Sequence, residues 1–447
     1  MNSKIESGKF LFFRILYNSL LYSFFTVTAP FFVYKVLTKE KYKEGIYQRL
    51  GFLSQNGKNA LKKGNLIWFH AVSVGEVQAS FPLLDQLKQL YPDNNFILST
   101  TTATGQKVAR TKYENDPKIT VIYFPLDFFH IFHSIFKKFD IRLIIIMETE
   151  IWPNFLMEAY RHNIPVVLVN GRISQKSYSG YSKLRGLFNE CTKSVKFFCM
   201  QEQTDADKLI GLGIDRDRVK VTGNIKYDTS LKIEINRKIC DSIISRLGWD
   251  SSTPVLVAGS THHGEDEIML DVFNQARRKV DGLKFILAPR HPERIQEVEK
   301  LIRDHNFNYI KKTDLDKSGT ISKTIDVILL DTMGELRHIY SIATVAFIGK
   351  SMIAPGGGQN ILEPASLGIP VVFGTYMDNF REVVKKMVEA EAGIMVNNKS
   401  ELIETILNLL LYKSIRDKLK ENSIGAVKSL QGATLKTLSY IGNILNH

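Results

Sequence analysis

Three glycines followed by an amide and an acid, Gly356-Gly357-Gly358-Gln359-Asn360-Ile361-Leu362-Glu363, have the residue types and spacing of a nucleotide site. Successive glycines let backbone N–H groups approach a ligand with no Cβ in the way, and a helix opening near Asn360 favours an anion at its start. That pattern is expected to seat a phosphate. Glu363 lies three residues after Asn360, on the same face of the first turn, where a carboxylate accepts hydrogen bonds from a ribose diol. The competing reading is a plain turn whose acid complements the helix dipole. Arg290 directly follows an apolar run, well placed for bidentate contact with phosphate or carboxylate. Asp331-Thr332-Met333-Gly334-Glu335-Leu336 is a second strand-to-helix corner of the same kind, with helical spacing from 333 to 343.

The first half of the chain offers acid–base chemistry instead. Glu76 follows Ser73 and Gly75 at a strand-to-helix corner, where partial desolvation raises a carboxylate toward the range of a general base. An early-helix acid serving only the dipole is the alternative. Glu148 and Glu150 follow a strongly apolar stretch, and two acids there are costly unless a cation or a ligand uses them. Lys226 sits where the last strand of this half exits into a linker. His262 and His263 beside Glu265 hint at a metal, but no further ligand has fitting spacing, so no metal and no cofactor are expected. Arg290, Lys226 and a helix N-terminus would then neutralise a leaving phosphate, while Glu76 takes the proton of an acceptor hydroxyl. The chemistry is that of a nucleotide-sugar transferase.

Those residues need strand ends to hold them. Apolar runs at 66–71, 96–100, 121–125, 142–147, 166–170 and 197–200 alternate with helical segments, and the pattern restarts at 255–261, 284–288, 327–330, 345–349 and 370–374. Such alternation predicts parallel sheets covered on both faces, with ligands at the carboxyl ends of the strands. The expected organisation is an anchor over 1–38, an acceptor domain over 39–228, a linker over 229–250 and a nucleotide domain over 251–447. Helices from residue 400 onward are expected to return toward the first domain.

A composition of 44% hydrophobic and 23% charged residues over 447 positions is that of a globular chain with room for two domains. The net charge of +13 implies acidic company. That charge is dispersed, with no arginine-rich tract or zinc spacing, so nucleic acid is not expected among the partners. Three cysteines, Cys191, Cys199 and Cys240, make no framework and suit a reducing compartment. Residues 15–34 carry no charge over a length that matches a bilayer core, with Lys4, Lys9 and Arg14 before them and Lys35, Lys39, Lys41, Lys43 and Arg49 after. The segment is expected to anchor the chain, spanning the membrane or lying in its interface, with the basic flank on the cytoplasmic side.

His70-Ala71-Val72-Ser73-Val74-Gly75-Glu76, residues 147–154, Gly223-Asn224-Ile225-Lys226-Tyr227-Asp228, residues 260–265, 289–294, 332–336 and 357–365 resemble, in order and spacing, the Kdo transferases of lipopolysaccharide synthesis. Kdo is 3-deoxy-D-manno-oct-2-ulosonic acid, and the resemblance runs from about Phe10 to the C-terminus. It implies an α/β chain of GT-B fold, two doubly wound Rossmann-like domains facing a cleft behind an N-terminal membrane-anchor helix. The implied reaction moves Kdo, with inversion, from CMP-Kdo to the 6'-hydroxyl of the tetra-acylated, bisphosphorylated lipid A precursor, on the cytoplasmic face of the inner membrane. Carried over by residue, Glu76 matches the general base, and Glu148 and Lys226 match positions that stabilise the transition state. Pro289 and Arg290, Met333, Gly334 and Glu335, and Asn360, Ile361, Leu362 and Glu363 match the CMP-binding segments. Gln359 stands where a histidine is common, and Lys350 replaces a second glycine after Gly349. A GT-B transferase using a UDP-sugar and a lipid acceptor shares the glycine loop, and a membrane-tethered nucleotide sensor would share the two lobes.

Overall fold

The computed structural model describes residues 8–38, 43–52, 64–230, 235–250, 252–319, 321 and 324–446. Lys4, Lys39 and Lys41 of the basic flanks, residues 231–234 of the expected linker and Ser251 lie outside them. The chain divides into two compact units, one of Met1–Thr229 with Gly432–His447 and one of Ser230–Gln431.

The first unit is a parallel sheet of β1 (Leu66–Ala71), β2 (Asn95–Thr100), β3 (Ile119–Tyr123), β4 (Ile141–Met147), β5 (Val166–Gly171), β6 (Val195–Met200) and β7 (Val219–Val221), in the order β3-β2-β1-β4-β5-β6-β7. All six residues of β1 are buried, His70 included, which is why its sequence shows no alternation. On one face Trp68 meets Phe155 at 5.2 Å between ring centroids in a cluster with Phe124, Phe132 and Phe136. On the other, Leu83, Leu84 and Leu87 share a core with Leu438, Ile441 and Leu445 from the far end of the chain. Each such side chain contributes roughly 1.5–3 kcal/mol on burial.

The second unit repeats the design with β8 (Val255–Thr261), β9 (Lys284–Pro289), β10 (Tyr309–Lys311), β11 (Val327–Leu329), β12 (Val345–Ile348), β13 (Val371–Phe373) and β14 (Ile394–Met395), all parallel, in the order β10-β11-β9-β8-β12-β13-β14. In each sheet the chain fills one side of its first strand and then crosses to the other, with β11 returning between β9 and β10 in the second. The crossings fall between β1 and β4 and between β8 and β12, and the crevices at those points are the natural ligand sites of open α/β sheets. This is the two-sheet construction of the GT-B fold.

Several expected elements differ. The helix expected over 333–343 contracts to Leu336–Ile339 and a 3-10 turn at Tyr340–Ile342, because Gly334 takes a left-handed φ of 85° and ends any earlier helical run. β10 and β14 carry half-buried or two-residue segments with no apolar run to announce them. The helices Lys399–Leu411 and Lys413–Leu430 stay with the second unit, where Leu402, Ile406 and Leu409 join its core, and only Ala433–Leu445 returns to the first. Gly432, at φ 91°, makes the break. The expected linker holds the helix Arg237–Leu247, which belongs to the second unit, its Cys240 Sγ lying 3.2 Å from the His338 carbonyl.

The N-terminal helix Gly8–Thr38 is long and apolar enough to cross a membrane. It lies against the first unit from Phe10, buried beside Met157 and Cys191, to Phe25, packed on Phe128. Polar contacts pin it between: Tyr17 Oη donates to Asp127 at 2.9 Å, Asn18 pairs with Asn154 at 2.9 Å, and Tyr22 Oη sits 2.8 Å from His130 Nδ1. Its other side exposes Phe12, Ile15, Leu16, Leu20, Phe24, Val27 and Phe31.

Candidate active site

At the crossing point of the first unit, β1 ends at Ala71 and Ser73 caps the helix Val74–Leu90. The Ser-Val-Gly-Glu sequence closes a capping box. Ser73 Oγ accepts from the Glu76 amide, and the Glu76 carboxylate accepts from the amides of Val72 at 2.9 Å and Ser73 at 3.3 Å and from Ser73 Oγ at 2.8 Å. Glu76 thus also fills the structural role of an early-helix acid. Burial pushes its carboxyl up, those hydrogen bonds oppose the rise, and the neighbouring Glu148 adds to it.

Across the crossing point, Glu148 leaves β4 with a left-handed φ of 55°, its amide still paired to the Val169 carbonyl at 2.8 Å. For a residue with a Cβ this conformation costs ~1–3 kcal/mol and collects at functional strand ends. Lys226 Nζ meets Glu148 Oε1 at 3.0 Å. Asn170, also left-handed, accepts from the Ile225 amide at 3.0 Å, while Asn224 Oδ1 takes the Lys226 amide at 2.9 Å, so the lysine is presented from a fixed turn. Glu150 completes a trio of acids. Burial, then Glu76 and Glu148, push its carboxyl up to about 7. Beneath them His70 stacks on Phe124 at 3.9 Å and is held neutral, burial pushing it down to about 3. Among the described residues its Nε2 is buried without a hydrogen-bond partner.

At the crossing point of the second unit the key carboxylate is Glu265. Almost wholly buried, it accepts the amides of His262 at 3.0 Å, Lys350 at 2.6 Å, Ser351 at 2.8 Å and Met352 at 2.9 Å, tying the turn after β8 to the turn after β12. His263 turns instead to Glu297, 2.8 Å away, so the three side chains that hinted at a metal part company. Arg290 leaves β9 with its amide on the Thr261 carbonyl at 3.0 Å and its side chain exposed, next to half-buried Pro289. Met333 and Gly334 are exposed; Glu335 accepts from Thr332 Oγ1 at 2.6 Å and stands 3.6 Å from buried Lys312.

Asn360 stands two residues before the short helix Leu362–Ser366, its Oδ1 accepting the Leu362 amide at 3.0 Å and its Nδ2 reaching Glu363 Oε1 at 3.2 Å. Burial raises the Glu363 carboxyl, and Asn360, Arg337 and Arg290 counter that rise. Arg337, which no spacing in the sequence marks, acts on this acid together with Arg290. Ile361 and Leu362 are core side chains, leaving only their backbone for a ligand. The glycine loop departs from the expected phosphate seat. The amides of Gly356, Gly357 and Gly358 donate to the carbonyls of Ile353, Tyr376 and Lys350, so none is turned to a phosphate. A Cβ on Gly356 would lie 2.1 Å from Tyr376 Cβ and one on Gly358 2.3 Å from Met377 Sδ; the glycines are there for chain-to-chain approach.

Known proteins carry the same design. The family described as 3-Deoxy-D-manno-octulosonic-acid transferase (kdotransferase) matches residues 44–229. The 3-deoxy-D-manno-octulosonic acid transferase of Haemophilus influenzae is 32% identical over 431 residues, 96% of this chain and 98% of its own length. That of Chlamydia trachomatis serovar A is 30% identical over 94% of this chain and 95% of its own. A bifunctional glycosyltransferase/methyltransferase of Fusobacterium nucleatum is 36% identical over 376 residues, 84% of this chain, which spans 56% of that relative. Among solved structures, the UDP-GlcNAc 2-epimerase of Neisseria meningitidis aligns with a TM-score of 0.54 at 16% identity over 84% of this chain and all of its own, a likeness of fold. With both transferase relatives matched along nearly their whole length, the chain belongs to the 3-deoxy-D-manno-octulosonic acid transferases and is a glycosyltransferase.

Proposed function

We propose that this transferase moves Kdo from CMP-Kdo to the 6'-hydroxyl of the tetra-acylated, bisphosphorylated lipid A precursor, with inversion and without a metal. The observation that supports this most directly is the set of Glu76, Glu148, Glu150 and Lys226 at the crossing point of the first sheet. Glu76, with its raised affinity for a proton, takes the acceptor hydroxyl proton as the oxygen attacks the anomeric carbon. The bond from that carbon to phosphate breaks, and CMP leaves with the electron pair. Glu148, steadied by Lys226, supplies negative field to a developing oxocarbenium ion. Arg290 answers the phosphate, Glu363 takes the ribose diol, and Pro289, Met333, Gly334, Glu335, Asn360, Ile361 and Leu362 line the cytidylate. The cations come from the chain itself, so the transfer calls for no metal.

The acceptor is a membrane lipid, and the Gly8–Thr38 helix gives the means to meet it on the cytoplasmic face of the inner membrane. With the helix docked as far as Phe25, the thirteen residues to Thr38 reach ~20 Å, short of the ~30 Å of a hydrocarbon core. The helix therefore lies in the interface, outward apolar face down. Incubation with CMP-Kdo and the lipid A precursor, read by mass spectrometry, is expected to yield the Kdo-bearing lipid and free CMP. Transfer from a UDP-sugar instead, or no product with either donor, would overturn the reading.

A further inference from the structure

On the first unit, far from the acids just described, three side chains converge that the transfer does not use. His133 comes from the helix Phe129–Lys138, Glu158 from the helix Pro153–Arg161, and His162 directly follows the latter. His133 Nδ1 lies 3.3 Å from Glu158 Oε2 and 3.2 Å from His162 Nε2, and His162 Nε2 lies 3.8 Å from the same carboxylate oxygen. We propose that His133, Glu158 and His162 form a binding site for a zinc-like divalent transition metal that fastens these two helices together.

The distances carry the argument. A tetrahedral metal with bonds of ~2.0–2.1 Å sets its ligand atoms ~3.3–3.4 Å apart, and the three separations bracket that value. Two imidazoles and one carboxylate suit zinc or cobalt and are a poor set for magnesium or calcium, which take oxygen ligands. The carboxylate is oriented in advance: Arg161 Nη1 donates to Glu158 Oε1 at 2.9 Å and to Oε2 at 3.0 Å, and Oε2 is also the oxygen that faces both rings. Such an outer partner is what a ligating carboxylate needs. Glu158 is fully buried whereas the His133 side chain is 43% exposed, which gives an ion a way in and a place for a water as fourth ligand. Remoteness follows from topology. The Pro153–Arg161 helix begins just past the carboxyl end of β4 and its nine residues carry His162 ~14 Å back toward the amino edge of the sheet. The ion is therefore a staple and no part of the transfer.

The test uses the full-length protein stripped of metal by a chelator. Titration with cobalt(II) is expected to saturate at one equivalent with the intense visible absorption of tetrahedral coordination, and zinc is expected to displace it and raise the melting temperature by several degrees. His133→Gln/His162→Gln should lose the band and the zinc-dependent shift while keeping transfer activity. Because His133 is at the surface, His133→Ala serves as the variant that folds regardless, and it should bind cobalt at least tenfold more weakly. Absence of a saturable equivalent in the unmodified chain, or an unchanged titration in the folded His133→Ala variant, would overturn the proposal.

Discussion

Glu76 shares its corner with two further acids, and its carboxylate already accepts three hydrogen bonds that fix it against the turn of Val72 and Ser73. A general base so placed is worth ~10²–10⁴-fold in rate. Glu76→Gln is therefore expected to cut turnover by at least 100-fold while CMP affinity, measured by calorimetry, stays within about twofold; near-normal turnover removes Glu76 as base. Arg290→Ala and Arg337→Ala should do the reverse, each weakening CMP by ~10-fold or more, as the loss of a charge-assisted contact does. At this scale the sequence told much of the story for the first unit, because Ser-Val-Gly-Glu directly after an apolar run announces both the corner and its cap. It said less about the second. Three of the four amides that Glu265 accepts lie 85 to 87 positions away, and the carbonyls that occupy the Gly356–358 amides are set by tertiary approach, so spacing alone pointed to a phosphate where the fold has a chain contact.

At the scale of elements, Asp127 joins two helices. It accepts the amides of Asn154 at 3.1 Å and Phe155 at 2.9 Å at the start of Pro153–Arg161, and the Tyr17 hydroxyl from the N-terminal helix. Burial pushes its carboxyl up to about 7 against these hydrogen bonds. The folded chain thus holds a proton there that the unfolded chain has released above pH ~4, so stability contributed by this group is present at low pH and declines as pH rises toward 7, by roughly 1.4 kcal/mol per unit at most. Asp127→Asn should flatten the melting temperature over that window; an unchanged slope would assign the effect elsewhere. The N-terminal helix makes a second prediction. Replacing outward Leu20, Phe24 and Phe31 by serine should free the protein from anionic vesicles in a sedimentation assay with the melting temperature unmoved, whereas replacing Phe10 by alanine should cost ~3–5 kcal/mol of stability with binding retained. The apolar run was plain in the sequence. Which side docks was not, since its contacts with Asp127, Asn154 and His130 join positions more than a hundred residues apart.

For the molecule as a whole, the alternation of short strands and helices sufficed to read two doubly wound sheets, since both kinds of segment are patterned locally. The path of the C-terminal chain was not legible beyond a return toward the start, because Gly432 decides it at a single bend and Asp228 secures it, accepting the amides of Gly432 at 2.7 Å and Thr434 at 2.6 Å. Ending the chain at Gln431 strips Leu438, Ile441 and Leu445 from the first core, at roughly 1.5–3 kcal/mol each. Calorimetry should show one of two unfolding transitions fall and the other hold; an equal fall in both would refute the assignment. The same bend governs how the enzyme comes into being. Domains ordinarily fold in the order in which the ribosome delivers them. Here the lobe that emerges first lacks the Ala433–Leu445 helix until the whole of the second lobe has been made, so the later lobe has all its strands and helices before the earlier one does.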